Sequence, residues 1–458
     1  MPTAPPRLRS LREFLGDHGR FFLLWALAAL AFRIIFLIKF NLLTDDSLVY
    51  GDIAKNWLLH HVYGLSSATG PVETYIRMPG YPFFLATIWR FTGVEHYHAV
   101  MMVQIVIDIV TCCLIADLAR RICSERAAKA AFLLAGLCPF FANYAAVGLT
   151  ETLSIFFAAW AMDLVVAALD APSRWRLWVL CGVGLAGGIL IRPDGGILLA
   201  AIGLYLLLRL VRGASEGRRQ VLVGGAVVAL VALAPLVPWT LRNWRVMHRF
   251  QPLTPVYANM PDEFVPQGFF RWVKTWIVDY SSVEDVFFHV EGQSVDVDDV
   301  PRRAFDNSEQ LQRTVDAFGA YDDNGNSMTP EIDAQFAQLA QERIAAHPFR
   351  YYVELPFLRA ADLWLRPRTE VLPVDAHWWR YWDDPGDFSK ALGLAVVNAV
   401  YLVLAFMAWV KGRVRYAALF LLFAVIRTVF LAWMPNPEPR YVLECYPAVL
   451  AMAGAFFG

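Results

Sequence analysis

Apolar stretches long enough to cross a bilayer recur along almost the whole chain, and no other feature constrains the fold as much. A spanning helix needs about 20 apolar residues, because the hydrocarbon core is about 30 Å thick. Ten segments meet or approach that length: 21–43, 98–119, 128–147, 149–169, 176–192, 195–211, 220–240, 390–410, 415–434 and 441–457. Of the 458 residues, 57% are hydrophobic and 18% charged, a balance that excludes an ordinary soluble domain. The sequence therefore predicts an all-α polytopic membrane protein with about ten transmembrane helices.

Clusters of arginine and lysine indicate the orientation of these spans. The clusters precede the first span and follow alternate later ones: 7–20, 120–129, 174–176, 209–219 and 411–415. Such clusters favour the cytoplasmic side of a membrane. We therefore expect a cytoplasmic N-terminus.

Three regions are then expected outside: the first outer loop (44–97), the segment 241–388 and the turn 435–440. Segment 241–388 is rich in acids, glutamine, proline and aromatic residues, which is typical of a domain at the membrane interface. We predict it to be an extracytoplasmic domain of mixed structure. The domain organisation has three parts: a transmembrane catalytic half with the first outer loop (1–240), this outer segment (241–388), and C-terminal transmembrane helices (389–458). The short apolar runs Pro79–Phe91 and Tyr351–Leu365 are predicted to be membrane-surface helices.

Charge and cysteine content exclude several functions. The formal net charge is −1, so the chain lacks the basic surplus of a nucleic-acid-binding protein. All six cysteines lie in or beside apolar spans without CxxC spacing, which indicates packing residues and neither a disulfide framework nor a metal site.

Charged and aromatic residues accumulate at the predicted outer surface. A membrane surface that carries acids, a base and aromatics is expected to do chemistry or to bind a charged head group. The first outer loop supplies Asp45, Asp46, Tyr50, Asp52, Arg77 and Tyr81. The outer ends of later spans add Glu151, Arg192, Arg242, Arg440 and Tyr441.

Each candidate also has a structural alternative. Asp46 is in a position to cap the helix that begins near Ser47. Arg77 and the tyrosines are in positions for snorkelling or interfacial anchoring. An ion pair with Asp194 would stabilise the turn at Arg192, and one with Glu438 would anchor Arg440.

The order of these elements resembles the GT-C superfamily of integral-membrane glycosyltransferases, especially the family 39-like bacterial members related to protein O-mannosyltransferases and the lipid A aminoarabinose transferase. The residues that carry the resemblance run from the first outer loop to the last span: Asp45-Asp46 with Tyr50 and Asp52, Arg77-Met-Pro-Gly-Tyr-Pro82, Thr150-Glu151, Gly187 to Asp194, Pro238-Trp239 with Arg242-Asn243, His347-Pro348, and Glu438-Pro-Arg440-Tyr441.

The resemblance implies a GT-C-like helix bundle and an inverting transfer of a sugar from a polyprenyl-phosphate-linked donor. The acceptor, a glycan, lipid or protein, would be used on the periplasmic face of a bacterial inner membrane. The resemblance gives Asp46 the role of general base, with Asp45 as the alternative base or a second acid, and it places the other candidates in the substrate site. The acidic motif is Asp-Asp where Asp-Glu is common in relatives, so the use of a divalent metal ion stays open.

Two alternatives belong to other functional classes. One is a transporter or flippase for a lipid-linked sugar, which would concentrate polar residues near the membrane midplane. The chain offers only Asp108, Asp163 and Arg427 there. The other is a non-catalytic partner subunit that binds a polyprenyl lipid.

Overall fold

A computed structural model describes residues 11–212, 217–290 and 292–458. In chain order its α-helices are α1 (Leu11–Asp17), α2 (Gly19–Lys39), α3 (Asp45–His60), α4 (Gly80–Thr92), α5 (Tyr97–Ile122), α6 (Glu125–Gly136), α7 (Pro139–Ala145), α8 (Glu151–Asp170), α9 (Trp175–Ile191), α10 (Gly196–Val211), α11 (Arg218–Leu233), α12 (Leu236–Met247), α13 (Gln267–Val273), α14 (Tyr280–Ser282), α15 (Ser308–Asp323), α16 (Pro330–Ala346), α17 (Leu355–Leu365), α18 (Pro385–Val410), α19 (Ala417–Ala432) and α20 (Tyr446–Ala455). Short helical segments of other types are Pro193–Gly195, Val283–Phe287, Val297–Asp299, Arg302–Ala304, Arg350–Glu354 and Pro439–Cys445.

Many of these helices are suited to a membrane. Within the described ranges, six are apolar and long enough to cross it: Gly19–Lys39, Tyr97–Ile122, Glu151–Asp170, Pro193–Val211, Arg218–Met247 and Pro385–Val410. A bent pair, α6 with α7, makes a seventh, and α9 and α19 are shorter apolar helices. The prediction of an all-α polytopic membrane protein is confirmed. Helix α20 has 10 residues, fewer than the predicted span 441–457, because the first residues of that span belong to the 3₁₀ segment Pro439–Cys445.

The break between α6 and α7 is a bend of 52°. Pro139 begins α7 and has no N–H to continue the hydrogen bonds of α6. Arg33 on α2 donates hydrogen bonds to the carbonyls of Gly136 at 2.6 Å and Ala135 at 3.3 Å. Its Nε pairs with Asp108 on α5. This buried charge pair therefore holds the broken span together.

The first outer loop folds into two helices and a hairpin. Thr44 caps α3, because its side chain accepts from the Ser47 N–H and Ser47 returns the bond. Strands β1 (Gly64–Ser67) and β2 (Gly70–Glu73) pair antiparallel, with Gly64 opposite Glu73. The predicted surface-helix run Pro79–Phe91 corresponds to α4, although its depth in the membrane stays a prediction.

Helix α4 packs closely against the end of α9. A Cβ added to Gly80 would lie 2.6 Å from the carbonyl oxygen of Leu190, so only glycine permits this approach. The loop that contains Arg77 is thereby fixed beside the turn that contains Arg192.

The chain divides into two compact units. The first comprises Met1–Ala258, Val397–Ala424 and Leu443–Gly458, and the second Asn259–Val396 with Val425–Val442. In the second unit, Phe269, Trp272, Trp276, Phe318 and Phe336 form part of a buried aromatic core. The described residues of segment 241–388 are helices and turns without a strand, which corrects the expectation of mixed structure. The aromatic side chains recur at helical spacing and pack between helices.

Candidate active site

An ion pair between Asp46 and Arg77 is the central feature of the first unit's candidate site. Nη2 of Arg77 lies 2.8 Å from Oδ1 of Asp46, and the side chains are 20% and 34% exposed. Because Thr44 is the cap, Asp46 lies in the first turn of α3, and the alternative of Asp46 as the helix cap is wrong. The pair is within reach of solvent, so a substrate can compete for either partner.

Tyr50 lies one turn after Asp46 and lines the same site. The Arg77 guanidinium lies 5.5 Å from the centre of its ring, and the Tyr81 ring contacts it edge-on at 5.1 Å. Burial raises the pKa of Tyr50 to about 12; the cations Arg77 and Arg192 lower it, and the acids Asp46 and Glu151 raise it. The hydroxyl therefore stays protonated near neutral pH and is able to donate a hydrogen bond.

A second charged group surrounds Arg192 at the end of α9. Its Nη1 lies 3.3 Å from Oε1 of Glu151, which begins α8. Its Nε lies 3.0 Å from Asp194 in the following turn and 3.9 Å from Glu444, which immediately precedes Cys445 and α20. The expected ion pair with Asp194 is present, and two further carboxylates share the same arginine.

Local backbone contacts bring the two groups to one end of the first unit. Leu42 pairs with Val147 in an isolated parallel bridge, which joins the start of α3 to the loop before α8. Tyr97 donates a hydrogen bond to the Ser47 carbonyl at 3.1 Å. Asp46, Tyr50, Arg77, Glu151 and Arg192 are thus gathered from four separate parts of the sequence.

Two other predicted site residues, Asp52 and Tyr81, make structural contacts instead. Asp52 accepts hydrogen bonds from the backbone N–H and the hydroxyl of Ser66, both at 2.6 Å. Tyr81 is fully buried and donates to Gln104 at 2.9 Å. Both side chains hold the first outer loop in place, Asp52 through β1 and Tyr81 through α5.

Arg242 on α12 also holds the hairpin. It donates to the carbonyls of Thr74 at 2.6 Å and Tyr63 at 2.9 Å, and it pairs with Glu73. Its guanidinium lies 5.5 Å from the centre of the Trp239 ring. These contacts fix the segment between β2 and Arg77.

The remaining candidates are more exposed or lie in the second unit. Asp45 is exposed and makes no ion pair with any residue that the structure describes. In the second unit, Nε of Arg440 pairs with Glu438 at 2.7 Å, and the Tyr441 hydroxyl donates to Glu438 at 2.5 Å. The predicted alternative, an anchoring ion pair at Arg440, is therefore present.

Sequence analysis missed Arg33 and Glu444. Both lie within predicted apolar spans, where a charged residue is rare and indicates pairing or function. That signal was available, but the identity of each partner was not. Asp163, which was noticed, pairs with Arg121 at 2.8 Å.

The charged groups do not form an evident metal site. Within the described ranges, no three histidine, cysteine or acidic residues are arranged to hold a metal ion.

Comparisons with known proteins agree with this architecture. The family described as dolichyl-phosphate-mannose-protein mannosyltransferase matches residues 77–239, about a third of the chain. No curated protein sequence matches it.

Among solved structures, the chain is similar to the oligosaccharyltransferase AglB from Archaeoglobus fulgidus, solved with an inhibitory peptide and a dolichol-phosphate. The TM-score is 0.51 at 11% identity over 94% of this chain and 50% of AglB, so the chain spans about half the length of that protein. ArnT from Cupriavidus metallidurans, bound to undecaprenyl phosphate, aligns with a TM-score of 0.43 at 15% identity over 95% of this chain and 77% of ArnT. The chain therefore shares its fold with AglB, and its residues 77–239 are similar to the family described as dolichyl-phosphate-mannose-protein mannosyltransferase.

Proposed function

We propose that the protein is a glycosyltransferase that moves a sugar from a polyprenyl-phosphate-linked donor to an acceptor on the outer face of a bacterial inner membrane. The ion pair between Asp46 and Arg77 carries the proposal, because it joins a candidate base to a candidate phosphate ligand. The family match and the fold support lipid-linked sugar transfer in general. The lipid named in the AglB complex is a dolichol-phosphate.

In the proposed mechanism, the donor phosphate replaces Asp46 as the anion bound to Arg77. Arginine suits this exchange because its guanidinium binds carboxylates and phosphates with the same geometry. The Asp46 carboxylate then loses its cation and becomes a stronger base. Donor binding thus frees the base as it brings the sugar to the site.

The chemical step moves one proton and exchanges one bond. Asp46 takes the proton of the acceptor hydroxyl as its oxygen attacks the anomeric carbon of the donor sugar. The bond from that carbon to the phosphate oxygen breaks on the opposite face, which inverts the configuration. The polyprenyl phosphate leaves with the bonding electrons, and Arg77 stabilises its charge. The protonated Tyr50 hydroxyl donates a hydrogen bond to the same phosphate.

The other charged residues act around this centre. Glu151 accepts hydrogen bonds from sugar hydroxyls, and the substrate contacts of Arg440 and Tyr441 stay predictions from the sequence. Asp52 and Arg242 act indirectly, since both hold the hairpin that precedes Arg77. The acceptor is a glycan, a lipid or a protein hydroxyl.

The competing transporter hypothesis makes a different demand on the membrane interior. It requires polar groups near the bilayer midplane that are available to a substrate. Arg33 and Asp108 are both buried and paired, and Arg33 also donates to carbonyls that the break between α6 and α7 exposes. This arrangement supports a structural role for the pair and thereby favours the transferase.

Native mass spectrometry of the purified protein tests the donor class. We expect bound polyprenyl phosphate or its sugar conjugate, lost in Arg77→Ala and retained in the control Arg90→Ala. Arg90 is an exposed arginine on the adjacent helix α4, so Arg90→Ala removes the same charge as Arg77→Ala from a nearby position. Equal lipid occupancy in both variants would remove Arg77 from the donor site.

A transfer assay then separates the three functional classes. Wild-type protein given a polyprenyl-phosphate-linked sugar and a cell-envelope extract should release polyprenyl phosphate and glycosylate an acceptor, and Asp46→Asn should not. Lipid binding without release would favour the partner-subunit alternative. Movement of the donor between leaflets that depends on Asp108 and not on Asp46 would favour the flippase.

Labelling of introduced cysteines tests the outer placement. A membrane-impermeant thiol reagent added to intact cells should label Ser327→Cys in segment 241–388 and not Lys411→Cys, which lies between α18 and α19. Both positions are exposed in the structure. The reverse pattern would place the candidate site on the cytoplasmic side.

A further inference from the structure

Arg192 is surrounded by three carboxylates that come from three separate elements. Glu151 belongs to α8, Asp194 to the turn before α10, and Glu444 to the 3₁₀ segment before α20. The nearest nitrogen-to-oxygen distances are 3.3, 3.0 and 3.9 Å respectively. All four side chains are largely buried, so solvent screens these charges weakly.

The donors of Arg192 are directed at protein atoms. The Asp194 carboxylate accepts hydrogen bonds from Nε at 3.0 Å and from Nη2 at 3.4 Å. Nη1 faces Glu151 at 3.3 Å and the Thr150 hydroxyl at 3.4 Å. Arg192 therefore orients Glu151, and its influence on a substrate is indirect.

Glu444 adds a constraint from a distant part of the chain. Its side chain approaches Arg192 and also lines a cavity of about 10 Å³ formed by residues of α8, α9 and the start of α10. Ser154 lines the same cavity, is 4% exposed, and its hydroxyl has no hydrogen-bond partner among the described residues.

We propose that Glu444 is a positioning residue for the sugar transfer proposed above: it fixes Arg192, and Arg192 fixes Glu151. Three anions from independent elements restrict a guanidinium more narrowly than two do, because a shift toward any two lengthens the contact with the third. The inference rests on the proposed function and adds a residue that neither the motifs nor the family match, which ends at 239, includes.

A double-mutant cycle tests this role. We expect Glu444→Gln to lower kcat for transfer about tenfold, the size typical of residues that orient catalytic ligands, and to leave KM for the donor within about twofold. In an Arg192→Lys background the same change should have no further effect, because its influence passes through Arg192. Glu309→Gln, an exposed glutamate on α15, is the control and should match wild type.

Thermal unfolding midpoints of all variants separate positioning from general destabilisation. If Glu444→Gln does not fold, Glu444→Asp replaces it in the cycle, since it keeps the charge and shortens the side chain by one methylene. Effects on kcat that multiply independently in the two backgrounds would overturn the positioning role and leave the proposed function intact. A wild-type protein without transfer activity would overturn both.

Discussion

The exchange of anions at Arg77 predicts an unusual pair of effects for Asp46→Asn. Donor binding should become tighter, while transfer should be lost. The physical reason is competition: without donor, the Asp46 carboxylate binds the guanidinium that the donor phosphate needs. An ordinary substrate-binding residue would weaken binding when it is replaced.

The geometry sets the size of the effect on binding. Two unit charges about 4 Å apart attract with about 4 kcal/mol at an effective dielectric constant of about 20. The side chains of Asp46 and Arg77 are 34% and 20% exposed, so water screens the pair strongly. Partly exposed pairs of this kind retain about 1 kcal/mol. Removal of the repulsion between carboxylate and phosphate adds a similar amount, so the sum is about 1–2 kcal/mol, or about 5- to 30-fold in Kd.

The effect on transfer has the opposite sign and a larger size. Loss of a general base lowers rates by about 10²- to 10⁴-fold. Asparagine has nearly the shape of aspartate, and Asp45 still supplies a negative charge to the first turn of α3, so folding should be preserved.

Affinity is measured with undecaprenyl phosphate added to the protein in nanodiscs of fixed lipid composition at constant salt. Asp45→Asn is the matched control, because it removes the same charge from the preceding residue, which is exposed and makes no ion pair among the described residues. We expect its Kd to change less than about twofold. Unchanged or weaker binding by Asp46→Asn would refute the exchange mechanism, and so would equal tightening by Asp45→Asn.

Three further predictions concern the residues around the site. Arg33→Met should lower the free energy of unfolding by about 3–5 kcal/mol, because it leaves the buried Asp108 carboxylate without its cation. Adding Asp108→Leu to the same chain should restore much of the unfolding midpoint. A change in donor movement between leaflets without lost stability would support the transporter hypothesis instead. Asp52→Ala should raise the donor Kd a few-fold by loosening the hairpin, and the double variant with Ser66→Ala should have the same Kd as Asp52→Ala alone. Independent effects of the two substitutions on Kd would contradict a role that passes through the contact between Asp52 and Ser66. Burial raises the pKa of Glu370 from 4.5 to about 7, so the folded state binds the proton of this carboxyl more tightly than the unfolded state does. The protonated carboxyl therefore contributes stability that is fully present below about pH 4.5 and is lost as the pH rises through 7. Glu370→Gln should therefore unfold like wild type at pH 4 and at a higher temperature at pH 8, and equal midpoints at both values would show that the site does not shift this pKa.

Hydropathy and charge bias were sufficient to predict the membrane class, because a bilayer imposes length and apolarity on each spanning segment separately. The same information left the break between α6 and α7 undetected. Pro139 was visible in the sequence, but a proline bends a span only where other groups satisfy the carbonyls that it frees. Here Arg33, on a different helix, donates hydrogen bonds to those carbonyls.

Ion pairs within the candidate site were harder to predict, because each depends on how the chain folds back between the two residues that form it. Asp46 and Arg77 are brought together by α3, a hairpin and the approach of Gly80 to Leu190. Motif spacing identified both residues without indicating that they contact each other. Glu444 escaped notice because its partner, Arg192, is more than 250 positions earlier in the chain.

The four candidate arginines also differ in what they would lose by binding a phosphate. Arg242 donates to two backbone carbonyls, which cannot find new partners easily, and each buried acceptor left unpaired costs about 1–3 kcal/mol. Arg192 is held by three carboxylates whose mutual repulsion would reappear if it moved. Arg77 is paired with a carboxylate that is 34% exposed, and such a pair can exchange one anion for another at smaller cost. Arg440 is paired with Glu438, and both side chains are largely buried, so the same exchange costs more there. A sequence motif weighs all four arginines alike, whereas their partners favour Arg77 as the ligand of the proposed donor phosphate.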